Sequence, residues 1–343
     1  MKVAIDCMGG DNPALPRNIQ GAVEAFREEA IDIILVGRND EIEEELRRVA
    51  GGKTSFEIVH ADGIVGMDES PASALRKKQD SSMWMIFRLL KEGRADAAVT
   101  AGNTGAAMAM AKMQLGMLPS VDKPAIAVPL PTPRGVTILL DAGANVDCKP
   151  KHLLQFAVMG NVYSQKVCNV ASPRIGILSI GEEESKGNEL TKEAYKLLRE
   201  SSLSFYGNVE GRDIFSAKVE VIVCDGFVGN IVLKSTEGFA QILERLLGAE
   251  LEKDWRGKLG GLLIKSGYKR FKKKISAAGY GGALLLGING VCIISHGGSS
   301  PAEMKSAIFT ARDFVKTSLN MGIERLCAGV LGDRKTNDSI KKC

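Results

Sequence analysis

The chain of 343 residues is 45% hydrophobic and carries 45 Lys or Arg against 41 Asp or Glu, a formal net charge of +4. This apolar content suffices for one large α/β domain, and the small net charge argues against a nucleic-acid-binding protein. The seven cysteines lie far apart without the CxxC spacing of a zinc or redox site, and charged residues interrupt the N-terminus. These features predict a reduced cytoplasmic protein without a secretion signal.

Short apolar or β-branched runs alternate with helical stretches along the chain, which is typical of parallel strands joined by helices. The predicted strands fall at 3–6, 31–37, 56–61, 96–102, 125–131, 135–143, 174–181, 219–226 and 290–297. A long uncharged stretch at 275–302 is interrupted by glycines, and it predicts a buried strand with loops rather than a membrane span.

Several predicted strands end in loops of glycine and small polar residues. These loops lie at 9–11, 102–105, 143–145, 186–188, 229–230 and 296–299. In open parallel sheets such loops line the binding crevice, and glycine beside a helix N-terminus suits a phosphate. The alternative is that each loop is an ordinary strand-to-helix turn. The chain has no GxGxxG after the first strand and no P-loop, which weakens dinucleotide and nucleotide interpretations.

A helical hairpin is predicted over 235–278. Its first helix carries an apolar stripe of Phe239, Ile242, Leu243, Leu246 and Leu247, and a second, looser stripe follows over 264–275. Between the stripes, 255–265 is predicted to form a glycine-broken tip of apolar residues and cations. Residues 251–274 hold nine Lys or Arg and two acids, so +9 − 2 = +7. This combination fits an anionic membrane surface, and the alternative is a helix–helix or dimer contact.

The catalytic candidates are few. Of the three histidines, only His296 lies in a glycine-serine loop after a predicted strand. The chain has no GxSxG elbow, which argues against a serine nucleophile and a covalent acyl-enzyme. Lys186 is the cation best placed by its loop, since a helix is predicted to begin near Asn188. The alternative is an exposed lysine that offsets Glu182 to Glu184.

Two further sets of charged residues have both a functional and a structural interpretation. Arg76 and the two lysines after it are suited to binding a phosphate or an acidic carrier protein. The alternative is that they are solvated charges at the end of a helix. Asp11, Asp141 and Asp225 end predicted strands, but aspartate in such positions also caps helices, so we predict no metal.

Eight motifs carry a resemblance to a known family. They read AIDCMGGDN at 4–12, SALRKKQDSSM at 73–83, ADAAVTAGNTGA at 95–106, LDAGANVDCKP at 140–150, GEEESKGNELTKEA at 181–194, GNVEGRDIF at 207–215, CDGFVGNIVLK at 224–234 and YGGALLLGINGVCIISHG at 280–297. The chain resembles the phosphate acyltransferase (PlsX) family of bacterial phospholipid synthesis over nearly its whole length, to about residue 330.

The resemblance implies a Rossmann-like, three-layer α/β/α fold with a mostly parallel sheet, similar to isopropylmalate dehydrogenase. One acyltransferase domain would span 1–330, with the hairpin at 235–278 protruding for dimerisation and membrane contact and a polar tail at 331–343. The expected protein is a homodimer, peripherally associated with the inner face of the cell membrane.

The implied reaction moves a long-chain acyl group from acyl carrier protein to inorganic phosphate without a cofactor. The acyl phosphate would pass to a membrane glycerol-3-phosphate acyltransferase. Two other classes stay open: an NAD-dependent dehydrogenase of the same fold, and a non-catalytic scaffold that gathers acyl carrier protein at the membrane.

The site residues are selected mainly by their position in the loops. The expected catalytic residues are Lys186, Asn188 and His296. The expected phosphate- or substrate-binding residues are Gly9, Gly10, Asp11, Arg76, Asn103, Thr104, Asn145 and Asn230. The expected membrane contacts are Leu259, Leu262, Leu263 and Ile264.

Overall fold

A computed structural model describes residues 1–51, 56–278 and 281–340, with side chains described except at 269–278 and 331–340. The strands are β1 Lys2–Asp6, β2 Asp32–Gly37, β3 Glu57–His60, β4 Ala97–Thr100, β5 Ala125–Thr132, β6 Gly135–Leu140, β7 Ile175–Leu178, β8 Phe205–Val209, β9 Val221–Val223, β10 Ala283–Leu286 and β11 Cys292–Ile294. The α-helices are α1 Ala14–Glu29, α2 Asn39–Ala50, α3 Pro71–Lys77, α4 Ser82–Lys91, α5 Thr104–Leu115, α6 Pro150–Val167, α7 Glu189–Arg199, α8 Gly226–Glu252, α9 Trp255–Ala278, α10 Pro301–Lys316 and α11 Leu319–Ile340.

Within the described residues, eleven strands form one sheet in the order β3-β2-β1-β4-β11-β10-β5-β6-β9-β7-β8. β3, β2, β1, β4 and β11 run parallel to one another, and β6, β9, β7 and β8 form a second parallel group. β10 is antiparallel to β11 and β5, and β5 is antiparallel to β6. The two parallel groups therefore run in opposite directions, and their carboxyl ends lie at opposite edges of the sheet.

Helices cover both faces of the sheet because successive strand residues point to opposite sides. Val3 and Ile5 face a core completed by α1, α6 and α10, whereas Ala4 faces a core completed by α4 and α5. Large buried side chains fill both layers, among them Phe156 on the first side and Phe87 on the second. The predicted α/β fold with a mostly parallel sheet and helices on both faces is confirmed.

Two long helices, α8 and α9, take up the region where the hairpin is predicted. α8 begins at Gly226, earlier than expected, and α9 runs without interruption from Trp255. The prediction of a glycine-broken tip at 255–265 is wrong, since the chain reverses at 253–254 and α9 is already helical through the glycines. Gly257 allows the close approach of the two helices, because a Cβ there would lie 2.6 Å from the carbonyl oxygen of Leu251.

The apolar stripe of α8 is exposed on this chain, with Phe239 67% and Leu246 62% accessible. On α9, the four predicted membrane contacts are also exposed: Leu259 at 49%, Leu262 at 67%, Leu263 at 75% and Ile264 at 47%. Among the described residues, none of the helices combines the length and apolar character required to cross a membrane. The segment expected to be a polar tail from residue 331 continues α11 as far as Ile340, and 341–343 lie outside the described residues.

Candidate functional site

A buried aspartate organises the loop after β1. The Asp6 carboxylate accepts hydrogen bonds from Ser82 Oγ at 2.6 Å, from Thr100 Oγ1 at 2.7 Å and from the amides of Met8 and Gly9 at 3.2 and 3.0 Å. Burial raises the pKa of this carboxyl, against the lowering effect of its four donors. The Gly9 amide is therefore already used within the protein.

The rest of this loop contacts the loop after β11. Gly10 has a positive φ of 129°, and the amide of Asp11 donates to the carbonyl oxygen of Gly297 at 2.9 Å. His296 is exposed, and its Nδ1 accepts from the amide of Gly298 at 3.0 Å. In neutral His296 the proton is therefore on Nε2.

Asn103 is a structural brace at the start of α5. Its Nδ2 donates to three carbonyl oxygens, those of Gly66 at 3.2 Å, Met67 at 2.8 Å and Glu69 at 2.9 Å. Its Oδ1 accepts the amide of Ala106 at 3.0 Å and so caps the helix. The side chain has little capacity left for a ligand.

Two other expected binding residues lie near this brace. Thr104 is exposed in the first turn of α5. Arg76 is exposed in the last turn of α3, a helix that packs against α5.

At the opposite edge of the sheet, Asp141 organises the loop after β6. Its carboxylate accepts the amides of Ile126 at 3.0 Å, Gly143 at 3.2 Å, Ala144 at 2.9 Å and Asn145 at 2.7 Å. It also accepts Nδ2 of Asn145 at 2.8 Å, and the same nitrogen donates to the Pro124 carbonyl at 2.6 Å. Burial raises the pKa of Asp141, although the donors act against it. The loop amides again serve a buried carboxylate.

The first turn of α8 packs directly on this loop. Asp225 caps α8 by accepting the amide of Val228 at 2.9 Å, and the amide of Gly226 donates to the Asn145 carbonyl at 2.8 Å. A Cβ at Gly229 would collide with the carbonyl oxygen of Asp141. Asn230 is exposed one residue later, with its side chain beside Gly143.

Lys186 lies in the loop between β7 and α7. Two neighbouring acids are paired with other cations: Glu182 with Lys218 at 2.7 Å and Glu184 with Arg199 at 2.6 Å. Lys186 is exposed and, within the part of the chain that the structure describes, forms no ion pair. Glu182 and Glu184 are thus not offset by Lys186, whereas Glu183 lies near it, so the alternative of an exposed lysine that offsets Glu182 to Glu184 stays open at Glu183.

The same loop leads into α7 through Asn188. Asn188 Oδ1 caps the helix by accepting the amide of Thr191 at 2.9 Å. Gly187 has a positive φ of 105°, and a Cβ there would meet Ser179 Oγ at 2.9 Å. That hydroxyl is buried and has no hydrogen-bond partner among the described atoms. Lys186 thus lies at a helix N-terminus beside an unsatisfied hydroxyl.

The structure separates the expected site residues into two groups. At the first edge lie Gly9, Gly10, Asp11, Asn103, Thr104 and His296, with Arg76 on the adjacent α3. At the second edge lie Asn145, Lys186, Asn188 and Asn230. The expectation that all these loops line one crevice of a single chain is wrong, because the strands that carry them run in opposite directions.

Sequence reasoning missed several residues that build these loops. It did not single out Asp6, Ser82, Thr100 or Ser179, and it considered Asp141 only for a metal or a helix cap. The sequence signal for Asp6 and Asp141 was an aspartate directly after an apolar strand and shortly before a glycine. A carboxylate in that position is expected to be buried and to accept hydrogen bonds from its own loop. In the described ranges, no group of three His, Cys, Asp or Glu is arranged to hold a metal ion.

Comparisons with solved structures define the class of fold. A phosphotransacetylase from Streptococcus pyogenes superimposes with a TM-score of 0.60 at 16% identity and covers 94% of each chain. A branched-chain phosphotransacylase from Enterococcus faecalis gives 0.57 at 13% identity, covering 92% of this chain and 99% of that one. At such identities the likeness concerns the fold alone, and the chain has the phosphotransacetylase-type α/β fold.

Sequence comparison identifies the family. A family described as "Fatty acid synthesis protein" matches residues 1–321. The phosphate acyltransferase of Pelobacter propionicus is 49% identical over 319 residues, covering 93% of this chain and 92% of the relative. That of Thermodesulfovibrio yellowstonii is 51% identical over 319 residues, with the same coverage. The chain belongs to the phosphate acyltransferase family, which confirms the resemblance.

Proposed function

We propose that this protein transfers a long-chain acyl group from the thioester of acyl carrier protein to inorganic phosphate, giving an acyl phosphate for phospholipid synthesis. One observation carries the acyl transfer to phosphate: the match, at about half identity and over nine-tenths of the chain, to phosphate acyltransferases. The acyl carrier donor rests on the motif resemblance. No cofactor takes part in the proposed reaction.

The proposed reaction takes place at the second edge of the sheet, around Lys186. Lys186 is exposed and precedes Asn188, the N-cap of α7, by two residues; the helix dipole adds a partial positive charge at that end. A phosphate dianion placed there would be held by a lysine that forms no ion pair among the described residues. Asn188 caps α7 next to this loop, and the exposed Asn230 lies at the same edge of the sheet, whereas both N–H groups of Asn145 Nδ2 are held by Asp141 and Pro124.

The proposed chemistry is direct attack without an acyl-enzyme. A phosphate oxygen forms a bond to the thioester carbonyl carbon, and the carbon–sulfur bond breaks as the carbonyl re-forms. The thiolate leaves and takes a proton from water. Lys186 would hold the phosphate and offset the charge that develops on the carbonyl oxygen, the kind of electrostatic contribution that dominates acyl transfer.

His296 has no place in this step within one chain, because its loop lies at the other edge of the sheet. The proposal therefore keeps Lys186 and Asn188 as the catalytic candidates. The loops around Gly10 and Asn103 are held by internal hydrogen bonds and are left outside the reaction.

The decisive experiment is phosphate-dependent release of free thiol from palmitoyl acyl carrier protein by the purified protein, without nucleotide or nicotinamide. Lys186→Ala is expected to lower kcat/KM by about 100- to 1000-fold, as removal of a charge-stabilising donor does elsewhere. Lys192→Ala, on the exposed side of the same helix, is the matched control and should stay near wild type. A normal rate for Lys186→Ala would remove that residue from the mechanism.

The same assay separates the remaining classes. Carrier binding without thiol release would favour a scaffold. Reduction of a nicotinamide cofactor with a hydroxy-acid substrate would favour a dehydrogenase.

We further propose that the protein is a homodimer that attaches peripherally to the inner face of the cell membrane. The support is the exposed apolar stripe on α8 and the exposed leucines of α9. The α9 leucines lie within residues 251–274, which carry a net charge of +7. Attachment would place acyl phosphate near a membrane glycerol-3-phosphate acyltransferase. Each cation near an anionic surface contributes about 1 kcal/mol, which suits reversible binding.

Membrane contact is tested by co-sedimentation with vesicles that contain phosphatidylglycerol. Leu262→Ser with Leu263→Ser should release the protein into the supernatant while thiol release in solution continues. Met113→Ser, at a residue 59% exposed on α5, is the control for loss of an exposed apolar side chain. Retention of the double variant on vesicles would exclude α9 as the anchor.

Dimerisation is tested by sedimentation equilibrium. Leu243→Lys with Leu246→Lys should yield monomers, because the change places two charges in the apolar stripe of α8. Gln241→Lys, on the same helix but off the stripe, should leave the dimer intact. A dimeric double variant would place the subunit contact elsewhere.

A further inference from the structure

A cavity of about 210 Å³ opens between the sheet and the junction of α10 with α11. Its apolar lining includes Leu284, Leu286, Val291, Phe314, Val315 and Leu319. An engineered cavity of about 150 Å³ with a similar lining stays dry and binds benzene. The cavity in this protein therefore has room for somewhat more than six carbon atoms.

Two of the three polar side chains on its wall, Asp96 and Asn320, are already engaged, and the third is Ser318. Asp96 accepts the amide of Lys2 at 2.7 Å. Asn320 donates to the carbonyl oxygens of Ile288 at 3.2 Å and Gly290 at 3.3 Å. A polar guest would find few free partners, so the chemistry of the cavity favours a hydrocarbon.

The cavity lies at the same edge of the sheet as Lys186 and Asp141. The cavity is bordered by the carboxyl end of β10 and by the residues just before β11. Because β6 and β10 run in the same direction, the carboxyl end of β6 lies at this same edge of the sheet. Asp141 binds the amide of Ile126, which pairs across the sheet with Leu285 on the cavity wall. Four strand spacings, about 19 Å, separate β10 from β7, the strand that leads to Lys186.

We infer that this cavity receives the distal carbons of the acyl chain while the thioester is held at the second edge of the sheet. The inference rests on the proposed function and adds to it the part of the protein that senses chain length. A long chain reaches the cavity and gains from burial there. A short chain reacts without entering it.

Val315 is the residue to change, because it lines the cavity from the last turn of α10 and is only half-buried. Val315→Phe fills the space with four more carbon atoms. Burial of each methylene is worth about 0.8 kcal/mol, or about fourfold in affinity, so exclusion of even two methylenes costs more than tenfold. Val315→Ala enlarges the cavity and acts in the opposite direction.

The test compares kcat/KM for thiol release from acyl carrier protein bearing 8- and 16-carbon chains. Val315→Phe should lower the value for 16 carbons at least tenfold and leave that for 8 carbons within about threefold of wild type. Val315→Ala should raise the preference for the longer chain. Val49→Phe, at a half-buried valine of α2 away from the cavity, should leave the ratio unchanged.

Equal losses for both chain lengths in Val315→Phe, or an unchanged ratio in both Val315 variants, would overturn the inference. Binding of sodium dodecanoate, followed by calorimetry, gives an independent measurement. Wild type should bind it and Val315→Phe should not. If the wild type bound dodecanoate in the cavity but released no thiol from any acyl carrier protein, the proposed reaction would be refuted, and the binding of a hydrocarbon chain in the cavity would not.

Discussion

Gly229 lies where α8 rests on the backbone of the Asp141 loop, and replacing it with alanine tests that contact. The added Cβ would overlap the Asp141 carbonyl oxygen and approach the carbonyl carbon to 2.9 Å. Neither atom can rotate away, since both belong to the main chain. Helix α8 or the loop must therefore shift.

The expected magnitude follows from two opposing effects. Alanine stabilises an exposed helix interior by about 1 kcal/mol relative to glycine, whereas overpacking costs about 1–3 kcal/mol and occasionally more. With a rigid neighbour the cost should fall at the upper end, a net loss of about 2–3 kcal/mol. Gly238→Ala, at a site on the same helix with no atom within 4 Å of the added Cβ, should gain about 1 kcal/mol.

Urea unfolding of both variants, followed by circular dichroism, measures this difference of about 3–4 kcal/mol. The thiol-release rate of folded Gly229→Ala should also fall, because Asn145 and Asn230 flank the contact. If Gly229→Ala unfolded at the same urea concentration as Gly238→Ala, the proposed contact between α8 and the Asp141 loop would be refuted.

Two further predictions follow from the hydrogen bonds around the loops. Asn103→Ala should destabilise the protein by about 2–4 kcal/mol, because it removes a helix cap and three hydrogen bonds to carbonyl oxygens. Asn188→Ala should remove only a helix cap, about 1 kcal/mol of stability, but should lower activity far more than Asn103→Ala does. Urea unfolding and thiol release measure the two effects, and the reverse pattern would contradict the assignment of Asn103 to structure and Asn188 to the reaction. Burial acts to raise the pKa of Asp213, but Lys218 at 2.7 Å and the amide of Glu210 outweigh it and hold that pKa below its usual value. The lowered pKa stabilises the fold above about pH 4, and this contribution is lost as pH falls through the native pKa. Asp213→Asn should therefore reduce stability at pH 7 and have a much smaller effect near pH 3, as measured by urea unfolding at both values; an equal effect would refute the charge interaction.

The sequence was sufficient to predict most of the strands, because buried parallel strands are short apolar runs bounded by glycine and polar residues. β8 escaped notice, since Phe205–Val209 is a weak strand pattern that contains a glycine. β10 lay inside the apolar stretch predicted to form a strand with loops, where periodicity does not separate one strand from two.

The larger error in the sequence prediction concerned strand direction. The reversal of direction within the sheet places the expected site residues at two opposite edges. Only residues 133 and 134 join β5 to β6, too few for a parallel crossover, so the sequence already required an antiparallel pair. The reversal at β10 had no such local signal, because direction there depends on which strands become neighbours. The loop prediction around Lys186 needed only local pattern, whereas the grouping of loops needed the whole topology.

The buried carboxylates of Asp6 and Asp141 have a consequence for how this protein can hold an anion. Each fixes its loop in a finished shape, so substrate binding need not order the backbone and loses little conformational entropy. Each also uses main-chain donors that a phosphate would otherwise occupy. The anion must then depend on exposed side chains in contact with water, where charge attraction is weak and screened by salt. Modest affinity of this kind allows a bound anion to be released quickly.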